Sequence, residues 1–342
     1  MSGRLRDTHI NLSHGSGGRA MRALIAEVFA ELFGHVQPDD SAVLPLAQLT
    51  AQGERLAFTT DTYVMDPLFI PGTDIGALAV AGTVNDLATS GARPVALSCG
   101  MVLEEGLPIE TLRRVAASMR RMADRAGIRI VTGDTKVVER GAADKLFVNT
   151  AGLGVVPSGA SLSAANARPG DAVILSGTLG EHGTAILVAR NQLALEAEIS
   201  SDCQPLAALV AAMLRASPAI RCVRDATRGG LATVLNEIAD ASRVGVRIRE
   251  HDIPMRDEVR GACEILGLDP LYLANEGKLA AIVPHEDAQH VLAAMRAEAE
   301  GEAAAIIGEV TREHAGMVVM QTTFGGERIV DMLAGEQLPR IC

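Results

Sequence analysis

The chain has no tryptophan, and aromatic residues make up only 2% of it although 48% of its residues are hydrophobic. Its cores must therefore be built from Ala, Val, Leu, Ile and Met. Lysine is almost missing as well: it stands only at 136, 145 and 278, and every other basic side chain is Arg. A lysine kept in such a chain is a candidate for chemistry that an Arg does not supply. There is no excess of positive charge. The net charge of −11 and a pI near 5.3 exclude general binding along a nucleic-acid backbone, which needs a basic face. No run of about 18 apolar residues occurs, so no membrane span is expected. The first residues, MSGRLRDTHINLSHGSGG, lack the apolar centre of a secretory signal. The five cysteines (99, 203, 222, 263, 342) show neither C-x-x-C nor zinc spacing. That usage suits a reducing, cytoplasmic setting with thiols that mostly fill cores. Neither a Walker A loop nor a strand-borne G-x-G-x-x-G is present, which removes the P-loop and Rossmann readings.

What is present is a chain of 342 residues, enough for two domains at about 150 residues each. Strand and helix patterns mix in both halves, so the fold class is α/β to α+β. A stretch rich in Ser, Ala, Gly and Pro at 157–171 marks the boundary. The expected units are residues 1–157, residues 170–335 and a mobile tail over 336–342. Spacing predicts helices over 19–33, 73–90 and 108–126, and strands over 56–60, 95–103 and 146–156. The acidic turn at 38–43 is expected to enter a strand. A buried strand over 128–132 is expected to run into Gly133-Asp134-Thr135-Lys136. Residues 11–18 read as a flexible Gly/Ser segment. In the second half, strands are expected at 172–176, 244–249, 279–283, 305–310 and 317–321, with helices between them.

The strongest chemical signal is acidic. Asp40, Asp61, Asp86, Asp134 and Asp225 sit at strand ends, in turns or inside a helix of small residues. Ser41, Thr60, Thr62, Asn85 and Thr135 stand beside four of them. Hard oxygen ligands in that number suit Mg²⁺ holding the phosphates of a nucleotide. Any one Asp alone is better explained as a helix cap or turn residue, and Asp74 and Asp171 are read that way. Asp86 resists that explanation, because its helix otherwise consists of Ala, Val, Gly and Leu, where a carboxylate is costly. His14-Gly15-Ser16-Gly17-Gly18 precedes a helix, and its backbone N–H groups could cradle phosphate or an acidic tail. Asp134 and Lys136 arrive together, and Lys136 could neutralise a transferring phosphoryl group. In Asn275-Glu276-Gly277-Lys278, Glu276 could serve as a general base. The chain ends on Cys342, a thiol beyond Gly335 and Pro339 that can swing to a pocket and withdraw.

HGSGG, DDSAV, TTDTYVMDPLF, AVAGTVNDLATSGARP, TGDTKVVERG, SGTLGEHG, RDATRGGL, NEGKL and the terminal PRIC occur in order over nearly the whole chain. Together they resemble the hydrogenase maturation factors of the HypE family, carbamoyl dehydratases. That family lies in the aminoimidazole ribonucleotide synthetase/selenophosphate synthetase-like superfamily. The resemblance implies a two-domain fold whose N-terminal sheet forms a shared barrel in a homodimer. It implies ATP and Mg²⁺ as cofactors, the carbamoyltransferase HypF and the HypC–HypD scaffold as partners, and a carbamoyl group carried and dehydrated on Cys342. Carried over residue by residue, Asp40, Asp61, Asp86 and Asp225 hold Mg²⁺ and phosphate. Gly15, Gly17, Gly18, Thr60, Thr62, Asn85 and Thr135 line the nucleotide, and Asp134 and Lys136 orient phosphate and substrate. The proton acceptor is Glu276 or His14, and the choice stays open. A selenophosphate synthetase would need a reactive Cys or selenocysteine within 11–18, where none occurs. A pure carrier that only presents Cys342, or another small-molecule enzyme of the superfamily, are the alternatives.

Overall fold

A computed structural model describes residues 5–34, 41–190, 199–332 and 335. Asp40 and Cys342 lie outside them. In the first half, α1 (Arg19–Leu24) passes through a π-helical stretch (Ile25–Ala30) into α2 (Glu31–Phe33), and Gly34 ends the run with φ 89°. Residues 42–45 are irregular and lead into α3 (Leu46–Thr50), not into the expected strand. Next come β1 (Arg55–Tyr63), the short β2 (Phe69–Ile70) and β3 (Thr73–Asp74), α4 (Ile75–Thr89) and β4 (Arg93–Glu104). Then follow α5 (Ile109–Ala126), β5 (Arg129–Val138) and β6 (Leu146–Val156). Among the described residues the main strands form a sheet of order β1-β6-β4-β5.

Helix α4 is the element both halves are built on. Asp74 caps it, accepting from the N–H groups of Gly76 and Ala77. It is apolar nearly all round, the pattern of a helix covered on every side. It packs on β1, β4 and β6, on α5, and on the second half of the chain. Small residues permit that crowding. A Cβ on Gly76 would lie 2.4 Å from the Val115 carbonyl oxygen, and one on Gly82 2.3 Å from the Tyr63 hydroxyl.

The second half contains β7 (Ala172–Leu175), α6 (Glu181–Ala189), α7 (Ala207–Ala216), β8 (Cys222–Asp225) and α8 (Gly230–Ser242). It continues through β9 (Gly245–Arg249), α9 (Asp257–Leu266), β10 (Leu279–Val283) and α10 (Ala288–Arg296). It closes with β11 (Ala305–Thr311), β12 (Val318–Gln321) and β13 (Glu327–Val330), the last not expected from the sequence. Among the described residues its sheet runs β13-β12-β9-β11-β7-β10-β8. Strand β8 is the edge nearest α4, and the pairing Asp225↔Leu279 puts the end of β8 level with the start of β10.

Strand β5 differs from expectation in a way that matters. It is an edge strand, half exposed along most of its length, and it extends through Gly133-Asp134-Thr135-Lys136 instead of stopping before them. The segment 11–18 is not a flexible tether either. Residues Leu12–Gly15 form a 3-10 turn with a capping box, and His14 is fully buried.

Candidate functional site

Four acidic side chains converge where the two halves meet. Asp61 lies near the end of β1, Asp86 on α4, Asp225 at the end of β8, and Glu276 in the loop before β10. Alternation along β1 turns Thr59, Asp61 and Tyr63 toward α4, and the Thr59 hydroxyl donates to Asp86 Oδ2 at 2.9 Å. Burial, then the nearby charge of Asp86, pushes the Asp225 carboxyl up to about 6. Asp86 is raised by burial and by Asp61, against the Thr59 hydrogen bond and the charges of Arg224 and Arg228. Glu276 is buried and held well above the usual carboxyl range, by burial first and then by Asp202, Asp225 and Asp61. These shifts share one origin: carboxylates gathered in a low-dielectric place without enough positive charge.

That electrostatic shortage fits a cation. The donors are hard oxygens, which favours Mg²⁺. Among the described residues, no three Asp, Glu, His or Cys groups converge closely enough to hold a metal by themselves. An ion here would draw the rest of its shell from water and a ligand's phosphate oxygens, the usual habit of Mg²⁺.

The structure divides the remaining sequence-predicted residues. Register pairs Leu56↔Val155, Phe58↔Leu153, Thr60↔Ala151 and Thr62↔Asn149, and on the other side of the sheet Gly100↔Asp134 and Val102↔Lys136. Paired residues share a face, so Thr60, Thr62, Asp134 and Lys136 stand on the face away from α4 and α5. Asn149 ties Thr60 and Thr62 together there, donating to both hydroxyls. Lys136 Nζ donates to Asp134 Oδ2 at 2.6 Å and holds that carboxyl below its usual range; both side chains are exposed. Asp134 and Lys136 therefore do not join Asp61, Asp86 and Asp225 within one chain. They occupy the opposite edge, three strand spacings or about 14 Å away, and the opposite face. Thr135 is buried on the helix side.

His14 is a second correction. Its Nδ1 already accepts the Asn11 N–H at 3.0 Å, and its Nε2 faces Asp7 at 3.3 Å without a well-aligned hydrogen bond. It packs beside β5, where a Cβ on Gly15 would come within 2.9 Å of Val137 Cβ. Within one chain His14 is thus apart from Asp61, Asp86 and Asp225, and its Nδ1 is engaged in the capping box. Gly17 takes φ 77°, and Gly18 opens α1. Asn85 is the third. Its amide donates to Gln204 O at 3.1 Å and accepts from Leu206 N at 2.7 Å, which fastens α4 to the start of α7 and leaves it little to offer a nucleotide.

Sequence reasoning missed Asp202 and Gln204. Lys278 Nζ lies 3.3 Å from Glu181 Oε2 and 3.4 Å from Asp202 Oδ2, all three side chains being buried. Lys278, one of the rare lysines, is therefore an internal counter-ion. Lys145 instead makes a surface pair with Asp66. The only trace of Asp202 in the sequence is indirect: Gly277 must be Gly, since a Cβ there would lie 2.0 Å from the Asp202 carbonyl oxygen. Cys99, Cys203, Cys222 and Cys263 are free and buried, and burial pushes all four thiols upward, that of Cys99 to about 12. A cavity of about 580 Å³ lies between the helical run 19–33 and β5, lined by Phe29, Phe33, Met101, Ile130, Ser41 and Asp134.

Comparison with known proteins follows the same division. The N-terminal domain of AIR synthase related proteins matches residues 38–156, and the C-terminal domain matches residues 168–321. Carbamoyl dehydratase HypE of Rhodobacter capsulatus is 56% identical over 338 residues, covering 99% of either chain. The crystal structure of hydrogenase maturation protein HypE in complex with ATP superposes with a TM-score of 0.91 at 48% identity, over 97% of this chain and 99% of that one. HypE in its complex with HypF gives 0.80 at 43% identity, over 91% of this chain and 100% of that one.

Proposed function

The chain belongs to the carbamoyl dehydratase HypE family of AIR synthase related proteins, and from that premise we propose how its cleft performs the reaction. It is an ATP-dependent dehydratase of hydrogenase maturation. The substrate is a carbamoyl group on Cys342, and the product is the thiocyanate from which the iron of a [NiFe]-hydrogenase receives cyanide. The observation that carries this reading is the group of cleft carboxylates left short of positive charge beside the buried Glu276.

The carbamoyl oxygen is a poor leaving group. In the proposed sequence it attacks the γ-phosphorus of ATP, ADP departs, and one proton leaves the nitrogen. Loss of the second nitrogen proton then expels phosphate and closes S–C≡N, so the oxygen of the lost water leaves within phosphate. Bound Mg²⁺ would supply charge neutralisation of the phosphates, with water and phosphate oxygens completing what Asp61, Asp86 and Asp225 offer, and Asp40 assigned to the same set. Glu276 takes a nitrogen proton. A carboxylate whose pKa is raised is a stronger base than an ordinary one. Glu276 is preferred to His14, whose Nδ1 is taken by the Asn11 N–H.

A homodimer completes the arrangement. The face of the first sheet away from α4 carries Leu56 and Phe58, 59% and 74% exposed. A second copy covering that face would close a shared barrel. It would also bring the Asp134–Lys136 pair of one chain toward Thr60 and Thr62 of the other, on the strand whose opposite face carries Asp61. Residues 1–157 form the ATP-binding unit, 170–335 the flanking α+β unit, and 336–342 the carrier tail. HypF loads the tail and the HypC–HypD scaffold receives the cyano group, all in the cytoplasm.

The test is intact-protein mass after incubation with HypF, carbamoyl phosphate, ATP and Mg²⁺. A carbamoyl gain followed by loss of one water, both mapped to Cys342, is expected. A carbamoyl gain that ATP never converts would make the protein a carrier, and no modification would return the search to a small-molecule substrate.

A further inference from the structure

We propose that Asp202 is a positioning residue for the dehydration, fixing Glu276 in the cleft through a buried mount shared with Lys278, Glu181 and Gln204. The inference rests on the reading of Glu276 as proton acceptor. Both main-chain polar groups of Glu276 are held by the segment 202–204. Asp202 Oδ1 accepts the Glu276 N–H at 3.0 Å, and the Gln204 N–H reaches the Glu276 carbonyl at 3.4 Å. The Gln204 amide continues the clamp, donating to the Gly277 carbonyl at 3.1 Å. Gly277 lies so close that a Cβ would meet Asp202 O at 2.0 Å and Gln204 Cγ at 2.6 Å.

Asp202 is itself fixed. Its Oδ2 faces Lys278 Nζ at 3.4 Å, and that ammonium is shared with Glu181, whose other oxygen accepts from the Thr178 hydroxyl at 2.9 Å. Arg125 reaches across from α5 to Gln204 Oε1 at 3.3 Å, so the mount is anchored in both halves of the molecule. A buried ion group is a poor source of stability, since apolar side chains of equal volume often hold a fold as well or better. What this group adds is direction: it sets the one acidic side chain that must meet the substrate nitrogen within hydrogen-bonding reach.

The experiment is a double-mutant cycle on the full chain, carbamoylated on Cys342 by HypF. It is read as single-turnover loss of water by mass spectrometry after adding Mg²⁺ and ATP, with ATP affinity measured alongside. Asp202→Ala should slow water loss about 100-fold, the scale of a misplaced catalytic group, and shift ATP affinity less than about 3-fold. In a Glu276→Gln background the same change should add less than about 3-fold, because the two residues act as one unit. Asp202→Asn keeps the acceptor for the Glu276 N–H and should recover at least about ten-fold of the lost rate. It also carries the comparison if the Ala variant does not fold. Full additivity in the Glu276→Gln background, or an undiminished rate in Asp202→Ala, would overturn the proposal while leaving Glu276 in place. A Glu276→Gln protein that loses water at the full rate would remove the reading of Glu276, and the proposal with it.

Discussion

Asp61, Asp86 and Asp225 on one side, and Glu181 and Asp202 on the other, are two groups of carboxylates at the junction of the same two half-molecules. Lys278 is 3.3 Å and 3.4 Å from the second group. In the first group Asp86 feels Arg224 and Arg228, and Asp225 feels Arg224, at longer range, yet burial pushes both of these carboxyls upward. Acidic clusters of similar composition thus divide by whether the chain supplies the cation. A cluster with its own ammonium is framework. In the reaction proposed above, the cluster without one takes its positive charge from Mg²⁺.

The contrast can be broken most forcefully on the cleft side. Asp86→Asn or Asp225→Asn should lower ATP-dependent water loss by about 100-fold or more, the usual scale for losing an electrostatic clamp. Neither should unfold the protein, since each removes repulsion; the activity and a urea melt together check this. On the framework side the signs reverse. Lys278→Met leaves two buried carboxylates unpaired and should cost about 3–5 kcal/mol of stability by denaturant titration. A wild-type melting curve for that variant would erase the distinction between the clusters. Asn85→Ala sharpens it at a smaller scale. Losing the two bonds to 204 and 206 should cost about 1–3 kcal/mol, with ATP affinity within about 3-fold of the parent. A large loss of affinity would restore Asn85 to the nucleotide.

The smallest expected effect is on pH dependence. Between the ordinary value of 3.8 and about 6, the folded state keeps a proton on Asp225 that the unfolded chain has lost. The native state binds more protons there, so stability falls as pH rises through that window. Affinity for Mg²⁺–ATP should rise over the same interval as the carboxylate is freed. Asp225→Asn should flatten both slopes, measured by denaturation and by calorimetric titration.

Much of this was readable from residues in order. Asp86 stood out because a carboxylate inside AVAGTVNDLATSG is costly in a helix of small residues, and the structure places it on α4, accepting from the Thr59 hydroxyl beside Asp225. Asp74 was read as a cap and is one. What residues in order do not show is faces and pairings. The TGDTK segment announces an acid and a lysine, yet only the register β4–β5 shows that Asp134 and Lys136 turn away from α4. The same motif style hid the role of Lys278. Its partners lie at positions 181 and 202, distant in sequence, and ion pairs across loops leave no spacing to detect. His14 looked available because Gly and Ser surround it, and the capping box that buries it depends on Asn11, an ordinary residue in sequence.

The thinness of α4 has one more consequence. Because Gly76 and Gly82 let neighbouring backbone and the Tyr63 ring come to within a single missing methyl, the helix acts as a spacer of minimum thickness. Asp86 rides on that spacer, and Asp225 arrives on a strand pressed against it. The fit of α4 between α5 and β1 is therefore set by side chains that are not there. A methyl on Gly82 would act as a shim, easing β1 and its Asp61 away from Asp86 without touching either.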